Sequence, residues 1–117
     1  MRLNEISDNK AQPVDGYGPG FFRIGGTVLE GPVLLLPAGI VPWAGYQERD
    51  GLIAAADAID VLIVGTGAAI AQIPPDFRSA MEGAGVGVEI MASPAACRTY
   101  NVLLSEGRRV GLALIPV

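Results

Sequence analysis

The sequence contains no histidine at all. That absence removes His-based triads, imidazole general bases and nearly every common zinc or non-haem iron ligand set. Cysteine is almost absent too: Cys97 is the single one among 117 residues. No intramolecular disulfide can form, which fits a reducing compartment. Basic residues are few and scattered, giving a net charge of −4, and the only basic doublet is Arg108-Arg109. Phosphate backbones require clustered Lys and Arg, so a nucleic-acid partner is not expected. Long apolar runs are also missing, although half the residues are hydrophobic. The longest run, VLLLPAGIVPWAG, is broken by Pro37 and Pro42 and falls short of the roughly 18 to 20 uninterrupted residues that span a bilayer. No membrane insertion is expected. Residues 1–20 show no apolar signal core, so a cytoplasmic location is the expectation.

What is present reads as one domain over 1–117, long enough for a single hydrophobic core without staples. Residues 1–19 are polar and Gly/Pro-rich and read as a loosely ordered or edge segment. FFRIGGTVLEG places two β-prone runs around Gly25-Gly26 and predicts a β-hairpin that adds an antiparallel element to the sheet. VLLLP reads as a strand buried on both faces, followed by an irregular AGIVPWAG. Leu52, Ile53, Ala56 and Ile59 form the stripe of a short amphipathic helix over 50–59.

VLIVG follows as a second buried strand. Pro74-Pro75 opens a helix with Phe77, Ala80, Met81 and Ala84 on its inner face, and Gly83 and Gly85 end it. GVGVEIM alternates like a strand. Ser93-Pro94 reads as N-cap and first residue of a helix with inner stripe Ala96, Cys97, Tyr100, Leu103 and Leu104 and outer face Arg98, Asn101 and Ser105. Gly107 stops it, and VGLALIPV is the last strand. Alternation of strand and helix across the second half is the pattern of βαβ units, so the fold class is α/β with a mixed, largely parallel sheet.

VLIVGTG invites comparison with a phosphate-binding loop. A dinucleotide fingerprint needs a small third residue at a strand-to-helix turn. Here Ile70 fills that place, the next helix begins only after Pro74-Pro75, and no Gly-Lys-Ser/Thr follows. A tight structural turn is the better reading, and no cofactor is expected. Cys97 lies near a helix start, where a thiol can be activated, yet it occupies the apolar stripe and has no base. No pair of carboxylates is placed for glycosidase chemistry. No catalytic residues are expected, and no metal ligands.

Two sets of candidate site residues remain. A small-ligand site would lie where the parallel strands VLIVG and VGVEIM end beside the next helix start, drawing on Gly65, Thr66, Gly67, Ser93, Cys97 and Arg98 to hold an anion. Against it, Ser93 could simply cap its own helix. A protein-binding surface would use Trp43, as an exposed anchor or else a core cap, with Tyr100 and Asn101 on the last helix.

The segments YGPGFFRIGG, VLLLP with Trp43 shortly after, VLIVGTG and SPAACRTYNVLLSEGRRVGLALIP occur in one register over nearly the whole chain. In this the sequence resembles a small family that includes a mitochondrial assembly factor for respiratory complex I and an adipogenesis-associated Mth-type domain protein, with many bacterial and archaeal members of unknown function. The resemblance implies a three-layer α/β fold around a mixed sheet. It supplies no catalytic residues and implies a protein partner, since the best-known member acts through proteins. The leading expectation is therefore a non-enzymatic interaction or assembly module, with a small-molecule (anion) binding protein or weak enzyme as the alternative. The sequence leaves open the identity of the partner and whether the chain forms a homo-oligomer.

Overall fold

The computed structural model describes residues 10–117. The expectation for 1–19 therefore falls partly outside the described residues; within them, Val14–Gly18 form strand β1. It pairs antiparallel with β2 (Phe21–Ile24), which pairs in turn with β3 (Thr27–Glu30), so the three make a small sheet of their own in the order β1-β2-β3. The β2–β3 turn needs left-handed backbone at both central positions. Gly25 and Gly26 supply it, at φ 59° and 81°.

A second sheet has five strands: β4 (Val33–Leu36), β5 (Gly39–Pro42), β6 (Val61–Thr66), β7 (Gly87–Met91) and β8 (Val110–Ile115), in the order β5-β4-β8-β6-β7. β6 pairs parallel with both β7 and β8, whereas β4 pairs antiparallel with β8 and β5. The fold is thus α/β with a mixed sheet. Two expectations are corrected here. The antiparallel half of the large sheet comes from β4–β5, while the predicted hairpin sits in the separate small sheet. AGIVPWAG is not irregular throughout, because Gly39–Pro42 form β5. Pro42 is admissible there: β5 is an edge strand, where a missing N–H need not break a ladder bond.

Helix α1 (Asp50–Ala54) is short and passes into a 3-10 turn at Ala56–Ala58. Its expected stripe holds for Leu52 and Ile59 but not for Ile53, which is 42% exposed. In a helix of little more than one turn, Ile53 is rotated about 100° from the buried Leu52 and leaves the covered side. Helix α2 (Pro75–Gly83) connects β6 to β7, and α3 (Ser93–Ser105) connects β7 back past β6 to β8. Right-handed crossovers running in opposite directions place their helices on opposite faces of a sheet.

The core divides accordingly. On one face Leu34, Leu36, Leu62, Val64 and Ala113 meet Leu52, Phe77, Met81 and Trp43. On the other, Val33, Leu35, Ile63, Leu112 and Leu114 meet Ala96, Cys97 and Tyr100 of α3 and Val14, Phe22 and Ile24 of the small sheet. Alternate residues of each central strand thus feed opposite cores, which is why VLLL and VLIV read as unbroken apolar runs. Three layers result: α1 and α2, the five-stranded sheet, then α3 with the small sheet.

Candidate functional site

The strand ends beside the start of α3 bring four of the residues expected there into contact. Gly65 is buried at the end of β6, and a Cβ on it would stand 2.9 Å from the Ser93 Cα and 2.8 Å from a Leu114 methyl. Only glycine lets the first turn of α3 approach this closely. Ser93 is fully buried. Its N–H donates to the Gly67 carbonyl at 2.8 Å, while its Oγ accepts from the Gly67 N–H at 2.9 Å and donates to the Ile115 carbonyl at 2.6 Å. One serine thereby joins β6, α3 and β8.

The expected N-cap role of Ser93 is corrected. Ala92 occupies the cap position, and no side chain caps the helix. The hydroxyl faces away from the helix's own amides because two more demanding partners, the buried backbone groups of Gly67 and Ile115, lie on its other side. Thr66 is likewise engaged: its Oγ1 accepts from the Ala71 N–H at 2.9 Å and shares its proton between the carbonyls of Ala69 at 2.9 Å and Met91 at 3.2 Å. It folds the glycine loop onto itself.

Cys97 and Arg98 do not join this group. Cys97 is buried in the core between α3 and the sheet. Burial raises its thiol to about 11, against a smaller opposing pull from the Arg98 charge. Such a thiol is neutral and inert at neutral pH. Arg98 is exposed on the outer side of α3. The hydroxyls and the Gly67 amide that would greet an anion are thus spent on internal bonds. Among the described residues no group of three His, Cys, Asp or Glu side chains is placed to hold a metal ion.

The second set of expected residues turns inward. Trp43 is 3% exposed. Its indole N–H donates to the Glu48 carbonyl at 2.8 Å, and its ring stacks edge-on with Tyr46 at 5.4 Å and against Phe77 at 6.1 Å. It caps the core, the second of the two readings open for it, and is not an exposed anchor. Tyr100 is the largest fully buried side chain among the described residues, and its hydroxyl donates to the Gln12 carbonyl at 2.9 Å; burial pushes it up to about 12. Asn101 faces β1 rather than solvent: its Oδ1 accepts from the Val14 N–H at 2.8 Å and its Nδ2 donates to the Val14 carbonyl at 2.9 Å. This pair of bonds copies a ladder rung and closes the outer edge of β1 onto α3. Tyr100 and Asn101 hold the small sheet in place, and neither offers a free surface.

Sequence reasoning missed a hollow of about 250 Å³ between the two sheets, lined by Ile24, Leu29, Val33, Ile40 and Pro42, with Glu30 at its side. Its outer wall includes β5, which an apolar segment punctuated by prolines conceals. Only the strict pairing of Val33 to Leu36 with Gly39 to Pro42 reveals it.

Comparison with known proteins places this geometry in a family. Residues 14–115 match the family model described as a protein of unknown function, DUF498/DUF598. An uncharacterised protein of Rhodobacter capsulatus is 49% identical over 107 residues, covering 92% of this chain and 86% of that protein. The bovine (Bos taurus) NADH dehydrogenase [ubiquinone] 1 alpha subcomplex assembly factor 3 is 36% identical over 113 residues, covering 91% of this chain. This chain spans only 61% of that factor's length. Among solved structures, an outer membrane protein from Bartonella henselae superposes with a TM-score of 0.82 at 31% identity, covering 92% of this chain and 96% of that one. The chain belongs to the DUF498/DUF598 family, which also holds assembly factors of respiratory complex I.

Proposed function

We propose that this chain is a non-enzymatic, cytoplasmic protein-binding module that assists assembly of a respiratory NADH dehydrogenase. The identity of 36% with assembly factor 3, over 91% of this chain, is the observation that supports it most. The chemistry of the strand ends agrees with it. Thr66, Gly67 and Ser93 use their polar groups on one another and on Ile115, and Cys97 is a buried neutral thiol. That arrangement favours a rigid scaffold over a reaction site, and nothing in it favours the anion-binding alternative.

The test is deletion of the gene in a host that makes the multisubunit NADH dehydrogenase, with assembled complex measured on native gels. Loss of the full complex, restored by the wild-type chain, together with stoichiometric recovery of a dehydrogenase subunit on the tagged chain, is the expected outcome. Normal assembly in the deletion strain overturns the reading. Fractionation of the strain complemented with the tagged chain checks the location, and recovery in the membrane or periplasm after a salt wash overturns the cytoplasmic part.

A further inference from the structure

The small sheet ends in two edges of different character. β1 is closed by Asn101, whose side chain occupies both backbone groups of Val14. Among the described residues β3 pairs with β2 alone. Across the two-residue turn the pair Ile24 and Thr27 is hydrogen-bonded, and alternation makes Phe22 and Leu29 the next such pair. The bond from the Gly31 N–H to the Gly20 carbonyl, at 3.1 Å, continues the series. Val28 and Glu30, opposite Arg23 and Phe21, therefore occupy the intervening pairs. Their N–H and C=O groups point away from β2 to the open side.

The same edge borders the hollow between the sheets, where Leu29 and Ile24 face Val33 and Ile40. At about 250 Å³ it lies below the roughly 300–1,000 Å³ of drug-sized ligand pockets and suits one or two inserted side chains. Val28 is 50% exposed. Glu30 forms no ion pair among the described residues, and the chain as a whole is acidic. The other edge flanking the hollow, β5, is blunted by Pro42, which has no N–H to offer.

We propose that β3 receives an extended segment of a protein partner as a fourth strand, which inserts an aliphatic side chain into the hollow and sets a Lys or Arg against Glu30. Main-chain bonds to Val28 and Glu30 supply affinity, and the hollow and the carboxylate select the sequence. This rests on the protein-binding reading above and gives it a location and a partner chemistry.

The test uses the full chain against a displayed library of random linear peptides, with the enriched peptides resynthesised as probes. They are expected to pair a basic residue with an aliphatic one and to shift the backbone amides of Val28 and Glu30 and the methyls of Leu29 and Ile40 in NMR spectra. Val28→Pro removes an outward N–H without touching the β2 ladder, and is expected to weaken binding about tenfold or more. Glu30→Lys is expected to weaken the basic peptides similarly, whereas Glu89→Lys on the far edge leaves them unchanged. Should Val28→Pro unfold, the wild-type NMR map and Glu30→Lys still decide. Peptides that bind both variants undiminished or shift residues elsewhere overturn this edge while leaving protein binding intact. A hollow that takes only a small apolar dye, with no peptide enriched, also overturns it. Failure of the gene-deletion test acts on the assembly role and not on these peptide contacts.

Discussion

Ser93 shows how much a small side chain can carry when it is buried without slack. Among the described residues its hydroxyl is the partner of the Gly67 N–H, and the pair lies out of reach of solvent. Ser93→Ala leaves that donor and the Ile115 carbonyl without their bonds. An unsatisfied buried group costs about 1–3 kcal/mol, so a loss of that order is expected in urea unfolding. A change within error would show that water replaces the hydroxyl. Gly65→Ala is the complementary case. The added methyl meets the Ser93 backbone at 2.9 Å, which cannot yield as a flexible side-chain tip would. Overpacking of this kind costs about 1–3 kcal/mol, and a neutral result by the same measurement would mean that α3 shifts freely. Gly65 stands in the stretch that looked like a nucleotide loop, and Ser93 opens the helix packed against it. Their proximity was legible in the sequence, because two parallel strands must end on one side of the sheet. Their use was not. Whether a serine hydroxyl faces a ligand, its own helix or a neighbouring loop depends on which buried backbone groups lie nearest, and no spacing encodes that.

At the scale of elements, the central strands and the two long helices were readable because each carries an uninterrupted period. VLIVG and VLLL are apolar at every position, and Phe77 with Met81, or Ala96 with Tyr100, recur at one helical turn. β5 was not readable, since Gly39, Pro42 and only two branched residues give no alternation; its pairing with β4 makes it a strand. α1 was half readable for the opposite reason, since little more than one turn of helix sets no repeating period. The attachment of β1 was hidden as well. Asn101 sits where a helix normally meets solvent, and its partner lies 87 positions away. Asn101→Ala should therefore act locally. Its two bonds to Val14 are lost, and amide exchange at Val14 and along β1 should accelerate while the amides of β6 and β8 keep their protection. Equal acceleration throughout the large sheet would show that β1 is part of one cooperative unit with it.

For the molecule as a whole, the titrating groups with shifted values divide by location. Asp60 and Asp76 lie at the surface, each held below the usual carboxylate range by a hydrogen bond from Arg109 or Arg49. Whatever stability they add is present above the ordinary carboxylate value and is lost as pH falls through the folded one; exposed pairs of this kind contribute little. Cys97 and Tyr100 lie together in the core between α3 and the large sheet. Burial raises Cys97 from 9.0 to about 11 and Tyr100 from 10.0 to about 12. In each case the unfolded chain gives up its proton first as pH rises. The stability tied to the neutral forms is therefore complete below pH 9.0 and is lost as pH climbs through the folded values near 11 and 12. The urea midpoint should fall steeply on this alkaline side. Tyr100→Phe keeps the ring and removes the ionisation, and Cys97→Ala does the same for the thiol at the expense of some packing. Both should start from a lower midpoint at neutral pH, the first through its lost bond to Gln12 and the second through its cavity, and both should decline less between pH 9 and 11 than the wild type. Parallel curves for all three proteins would mean that other groups, Tyr46 among them, govern the alkaline limit.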